Sequence, residues 1–179
     1  MATISIHGGH ASYESGKYYG AVGTYLNESV EDRKVKDAVI KILKQRGNTV
    51  YDDTVDVGTS QSNILAQICS KVNSHNPDLA VSIHFNSATS ASANGTEVWV
   101  YSKTSKSVDV AKSVVSKVAS LGFTNRGVKY STTLFFLRKT KCPAILVEVC
   151  FVGSEKDKRI YDVDKVAKAI ADGITSSLK

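Results

Sequence analysis

Three short apolar runs in this sequence each lead into side chains that can bind a metal or move a proton. Residues 79–86 read LAVSIHFN, with the length and Val/Ile content of a buried strand, and close on His84 and Asn86. Residues 4–6 lead into His7-Gly8-Gly9-His10, and residues 144–149 carry Glu148 within Ala, Ile, Leu and Val. Open α/β sheets place their chemistry at the carboxyl ends of strands, so these three ends point to one site. His10, His84 and one carboxylate have the composition of a catalytic zinc centre, three protein ligands with a fourth position left for water. A second carboxylate nearby would take a proton from that water and pass it to a leaving amine. Glu148 suits this work, because a Glu inside AILVEVCFV is tolerated only when it is paired or functional.

Those residues need elements to hold them. After the first strand a Gly-, Ser- and Tyr-rich loop runs from Gly8 to about Leu26, a length more typical of sites than of connections. Asn27 is a candidate N-cap for a helix whose buried stripe is Val35, Ala38, Val39, Ile42 and Leu43, and Gly47 ends it. One heptad before Val35 stands Glu28, in the first turn on the inward side, where a carboxylate needs a partner. Glu31 lies close to the same face and is the alternative ligand; the HGGH run could offer two ligands, His7 as well as His10. Further along, the pattern predicts a strand at 49–51, a helix at 60–74 and an Asn76-Pro77-Asp78 turn into the central strand. A strand at 96–101 with the single Trp99, a helix at 103–120 and a loop at 122–129 come next. A short strand at 134–137, the strand at 144–149 and a closing helix from about 164 to 178 complete the chain. Strands alternating with helices at this spacing predict a three-layer α/β domain.

Composition narrows the function classes. The chain of 179 residues fits one domain, and a formal net charge of +6 comes from basic residues that are scattered rather than interleaved with aromatics. That distribution argues against nucleic acid and suits attraction to an anionic surface such as a bacterial wall. No run of 18 apolar residues occurs, so no membrane span is expected. The first residues, MATISIHGG, hold neither a basic region nor an apolar core of a signal peptide, so the expectation is synthesis in the cytoplasm without one. Three cysteines without a CxxC pair fit a reducing compartment, with Cys69 and Cys150 reading as core residues. A serine hydrolase elbow (GxSxG), a GxGxxG turn and a Walker loop are all absent from the sequence.

Five pieces in order carry a resemblance: Gly9-His10 after the first strand, Glu28 opening the first long helix, Ser82-Ile83-His84-Phe85-Asn86, Asn125-Arg126-Gly127-Val128-Lys129, and Pro143 to Phe151 reading PAILVEVCF. Over nearly its whole length the chain resembles the zinc-dependent N-acetylmuramoyl-L-alanine amidases of the type 3 class, found in phage endolysins and bacterial autolysins. The resemblance implies that His10, Glu28 and His84 bind one zinc ion and that Glu148 is the catalytic acid/base. It implies a peptidoglycan substrate, cut at the amide between N-acetylmuramic acid and L-alanine, with Asn86 placed for substrate contact. The implied fold is a twisted, mostly parallel six-stranded sheet with helices on both faces. Where many members read Asp-x-Gly-His-Gly-Gly, His7 takes the Asp position and Ala11-Ser12 replace the two glycines. Residues 1–179 then form a catalytic domain without a wall-binding domain, and release through a phage holin is the expected route to the wall. Two alternatives are a zinc carboxypeptidase-like amidohydrolase, disfavoured by the lack of an HxxE pair, and a non-catalytic wall-binding module, disfavoured by Glu148 standing beside a full ligand set.

Overall fold

The computed structural model describes residues 1–13, 19–90 and 92–178. Residues 14–18 of the expected long loop lie outside the described residues. In chain order the elements are β1 (Thr3–Gly8), β2 (Ser12–Tyr13), α1 (Glu28–Gln45), β3 (Thr49–Asp52), β4 (Val57–Gly58), α2 (Gln61–His75) and β5 (Leu79–Asn86). There follow β6 (Thr96–Val100), α3 (Val108–Ala119), β7 (Asn125–Tyr130), α4 (Phe135–Lys139), β8 (Ala144–Phe151), α5 (Glu155–Ile160) and α6 (Val163–Ser177). Among the described residues no helix is long and apolar enough to cross a membrane.

Six strands form one sheet in the order β3-β1-β5-β8-β6-β7, while β2 and β4 make a separate small pair. The ladders β1/β3, β1/β5, β5/β8 and β6/β7 are parallel, and β6 runs antiparallel to β8. The sheet is therefore mixed and mostly parallel, with helices on both sides, as expected. One face buries Ile4, Ile6, Val81, Ile83, Val147 and Val149 against α1, α3 and α6. The other packs Ala80, Ala144 and Leu146 against Ile64, Ile68 and Val72 of α2 and Phe136 and Leu137 of α4. The alternation along β5 puts Ser82 and His84 on this second face, because successive side chains of a strand point to opposite sides. Gly173 lets α6 lie close on α3: a Cβ there would stand 2.6 Å from the Val114 Cα.

Two expected elements differ. The stretch 122–129, read as a loop, contains the edge strand β7, whose residues are exposed or only half-buried and which is interrupted by Gly127 at φ +77. An edge strand shows little apolar alternation, so its pattern resembles a loop. The run 134–137, read as a strand, enters the short helix α4 instead; a four-residue apolar run has no periodicity that separates the two. The helix expected from 103 starts at Val108, and α5 had no apolar stripe to announce it.

Candidate metal centre and active site

His10, Glu28 and His84 come together at the carboxyl end of β1 and β5, each offering a ligand atom within 4.8 Å of the others. Glu28 opens α1 and is 3 % exposed. Its Oε1 lies 3.1 Å from His84 Nδ1 and accepts from the Phe85 backbone N–H at 3.0 Å. Its Oε2 lies 3.3 Å from His10 Nε2 and accepts from the Ala21 N–H at 2.7 Å. Burial opposes the Glu28 charge, but these histidine contacts outweigh it and hold the carboxyl well below the usual range. Burial also opposes charge on His84 and lowers its pKa, although Glu28 pulls the other way. For His10 the same burial is overcome by Glu28, so its pKa rises above 6.5.

The backbone is bent to make this meeting possible. His10 sits at φ 48, in the left-handed region that a residue with a Cβ seldom occupies, and such strain concentrates at functional sites. Before it, Gly9 donates its N–H to Ile83 O at 2.8 Å, and a Cβ on Gly9 would stand 2.2 Å from His84 Cε1. Only glycine lets the loop pass so near the imidazole. Arg33, one turn into α1, clamps this loop through Nη1 to Gly9 O at 2.8 Å and Nη2 to His10 O at 2.6 Å. Its Nε meets Asp56 at 3.0 Å, and Nη1 also meets the fully buried Asp32 at 2.9 Å. Burial raises the Asp32 pKa to about 7, against the pull of Arg33.

Glu148 stands beside this group, in parallel register with His84. It is half-buried, and among the described residues its Oε2 is buried without a hydrogen-bond partner. Burial, then the charges of Glu28 and Glu97, push its pKa up to about 8. A cavity of about 250 Å³ opens in front of it, bordered by His10, His84, Tyr19, Phe136 and Leu146. The donor set suits zinc: two imidazoles and one carboxylate, with the Glu28 charge favoured by the histidines and the neutral form of His84 favoured by burial, and an unpartnered acid beside them.

The alternative ligands are placed elsewhere. Glu31 pairs with Lys34 Nζ at 2.9 Å and accepts from Tyr161 Oη at 2.9 Å. His7 is 1 % exposed, lies 2.8 Å through Nε2 from Ser82 Oγ, and is kept neutral with its pKa lowered to about 3, first by burial and then by His84. Asn86 uses its amide within the protein: Nδ2 donates to Glu97 Oε1 at 3.0 Å and Oδ1 accepts from the Ser87 N–H at 2.9 Å. Sequence reasoning passed over Arg33 and Glu97. The signal available for Glu97 was a charged residue on the same side of an alternating strand as Trp99.

Known proteins resemble this chain in sequence and in fold. The chain aligns at 39 % identity with an uncharacterized protein of Clostridium perfringens strain 13, over 96 % of its own length and 51 % of the relative's. It thus spans about half the length of the curated relatives it matches first. Among solved structures, the catalytic domain of CwlV, an N-acetylmuramoyl-L-alanine amidase from Bacillus (Paenibacillus) polymyxa var. colistinus, superposes with a TM-score of 0.83 at 30 % identity, covering 98 % of this chain and 97 % of that one. The catalytic domain of CD27L endolysin, which targets Clostridia difficile, shares the fold with a TM-score of 0.92 at 24 % identity, each chain covered over 98 %. The family described as N-acetylmuramoyl-L-alanine amidase matches residues 4–179, and this chain belongs to it.

Proposed function

We propose that the protein hydrolyses peptidoglycan at the amide between N-acetylmuramic acid and the L-alanine of the stem peptide. His10, Glu28 and His84 would hold one zinc ion, and Glu148 is the acid/base. The observation that carries the reading is the buried, unpartnered Oε2 of Glu148 beside three converging ligand atoms. Bound zinc supplies a water acidified to a pKa of about 7 and polarisation of the scissile carbonyl. Glu148 Oε2 takes the proton of the attacking water and delivers it to the departing amine nitrogen, so no covalent enzyme intermediate is needed. A carboxyl with its pKa raised far above the usual range can both accept and return that proton near neutrality. Glu28 stays ionised between the two imidazoles and keeps them oriented. Asn86 keeps one Nδ2–H beyond its bond to Glu97, and we assign that donor to the substrate.

The test combines metal analysis with cell-wall turbidity and product end groups. About one zinc per chain, lysis stopped by chelation and restored by zinc, and newly freed L-alanine amino termini are expected. Glu148→Gln should retain zinc and lose about 10²- to 10⁴-fold in rate, whereas His84→Ala should lose the metal and the activity together. Chelator-insensitive lysis by a metal-free protein, or full activity of Glu148→Gln, would overturn the assignment.

A further inference from the structure

Beyond the reacting groups, the same face of the sheet carries a second polar cluster. Because β6 runs antiparallel to β8, and β7 parallel to β6, the starts of β6 and β7 lie at the sheet end where β5 and β8 finish. Glu97, at the start of β6, stands directly opposite Glu148 in the ladder. It is only 4 % exposed and accepts from Asn86 Nδ2, from Trp99 Nε1 at 3.1 Å and from Arg126 Nε at 2.7 Å. The Arg126 guanidinium also lies 4.9 Å from the Phe151 ring centroid. Both contacts fix its plane, and among the described residues its two Nη groups have no hydrogen-bond partner. Lys129, in register with Trp99, adds a second cation to the edge strand.

We propose that Arg126, seated on Glu97 and Phe151, binds a carboxylate of the stem peptide on the amine side of the cleaved bond. This rests on the amidase reading and adds a subsite to it. A guanidinium held by Nε offers its outer Nη edge as a planar fork, the shape that takes a carboxylate through two parallel hydrogen bonds. Arg126 is two strands from Glu148, roughly 10 Å at about 4.8 Å per strand, which an extended peptide covers in about two to three residues. The carboxylate recognised is therefore the one borne two or three residues beyond the scissile amide. Glu97 is a positioning residue: it neutralises part of the arginine charge and aims the rest outward.

The experiment compares a muramoyl peptide carrying a free carboxylate at that position with the same peptide amidated there, using zinc-loaded protein. Wild type is expected to show a KM about ten- to a hundredfold higher for the amidated form, with kcat little changed. Arg126→Gln should raise KM for the carboxylate substrate to that of the amidated one and abolish the discrimination; Arg126→Lys should restore part of it. Equal KM for the two peptides with wild type, which needs no variant, would overturn the subsite while leaving the amidase intact. So would discrimination that survives in Arg126→Gln. Failure of wild type to cut either peptide would overturn the amidase reading and the subsite with it.

Discussion

Glu148 owes its chemistry to its neighbours. A half-buried carboxyl facing Glu28 and Glu97 is reluctant to ionise, so its carboxylate is a stronger base than that of an ordinary Glu and takes up a proton readily near neutrality. His10 depends in the same way on Arg33, whose two Nη groups hold the backbone carbonyls of Gly9 and His10, one on each side of the His10 Cα. Arg33→Lys keeps a cation beside the buried Asp32 but cannot span both carbonyls. Zinc affinity should fall about tenfold or more, as for other outer-shell changes, with little loss of stability. Competition against a chromophoric chelator measures the first, and thermal unfolding of the metal-free protein the second. Unchanged affinity would mean that His10 is held by its own strained backbone alone.

At the scale of elements, the site is a meeting of three ends: the loop after β1, the first turn of α1 and the last residues of β5, with β8 alongside. The tilt of α1 over the sheet is secured away from the site by Lys36, 5 % exposed, whose Nζ reaches Asp52 of β3 and Asp37 at 2.6 Å each. Burial opposes both charges of the Lys36–Asp52 pair, but hydrogen bonds prevail: those from Lys36 and Thr54 lower Asp52 below 3.8, and those to Asp37 and Asp52 raise Lys36 above 10.5. The sign follows. Asp52's contribution is present above pH 3.8 and lost as pH falls through its lower folded-state value; Lys36's is present below pH 10.5 and lost as pH rises through its higher one. Asp52 is 43 % exposed, so screening limits the effect, and Asp52→Asn should cost about 0.5–1 kcal/mol near neutrality. In urea unfolding, the difference between variant and wild type should vanish in strong acid. A difference that persisted there would assign the loss to packing rather than charge.

For the whole molecule, the proposed ligands sit at positions 10, 28 and 84, joined only by folding, so an unfolded chain offers no comparable site. Zinc at a hundred times its Kd should then stabilise the fold by about 2.7 kcal/mol, read as a rise in Tm. His84→Ala should abolish the rise and Glu148→Gln should keep it. The increment should shrink as pH falls through the ionisation of His10, which Glu28 holds above 6.5, because the proton competes with the metal. A rise of equal size in His84→Ala would place the zinc elsewhere.

Much of this was legible residue by residue. Apolar runs ending in His84 and Glu148 marked buried strands, and a 3.6-residue stripe on α1 placed Glu28 inward, because burial patterns are local and periodic. Edge strand β7 and helix α4 were misread for the converse reason: one is too exposed and the other too short to carry a period. By itself, the sequence determined the alternation of strands and helices, the sheet-end placement of the side chains proposed as acid/base and metal ligands, and the resemblance to an amidase family. Only the tertiary structure decided that Glu28 and not Glu31 lies against both histidines, that His7 turns to Ser82, and that Arg33 grips the loop. It alone brought Glu97 and Arg126 to the end of the sheet where Glu148 lies. That placement depends on β6 running against β8, and strand direction is a property of long-range pairing that no window of sequence contains.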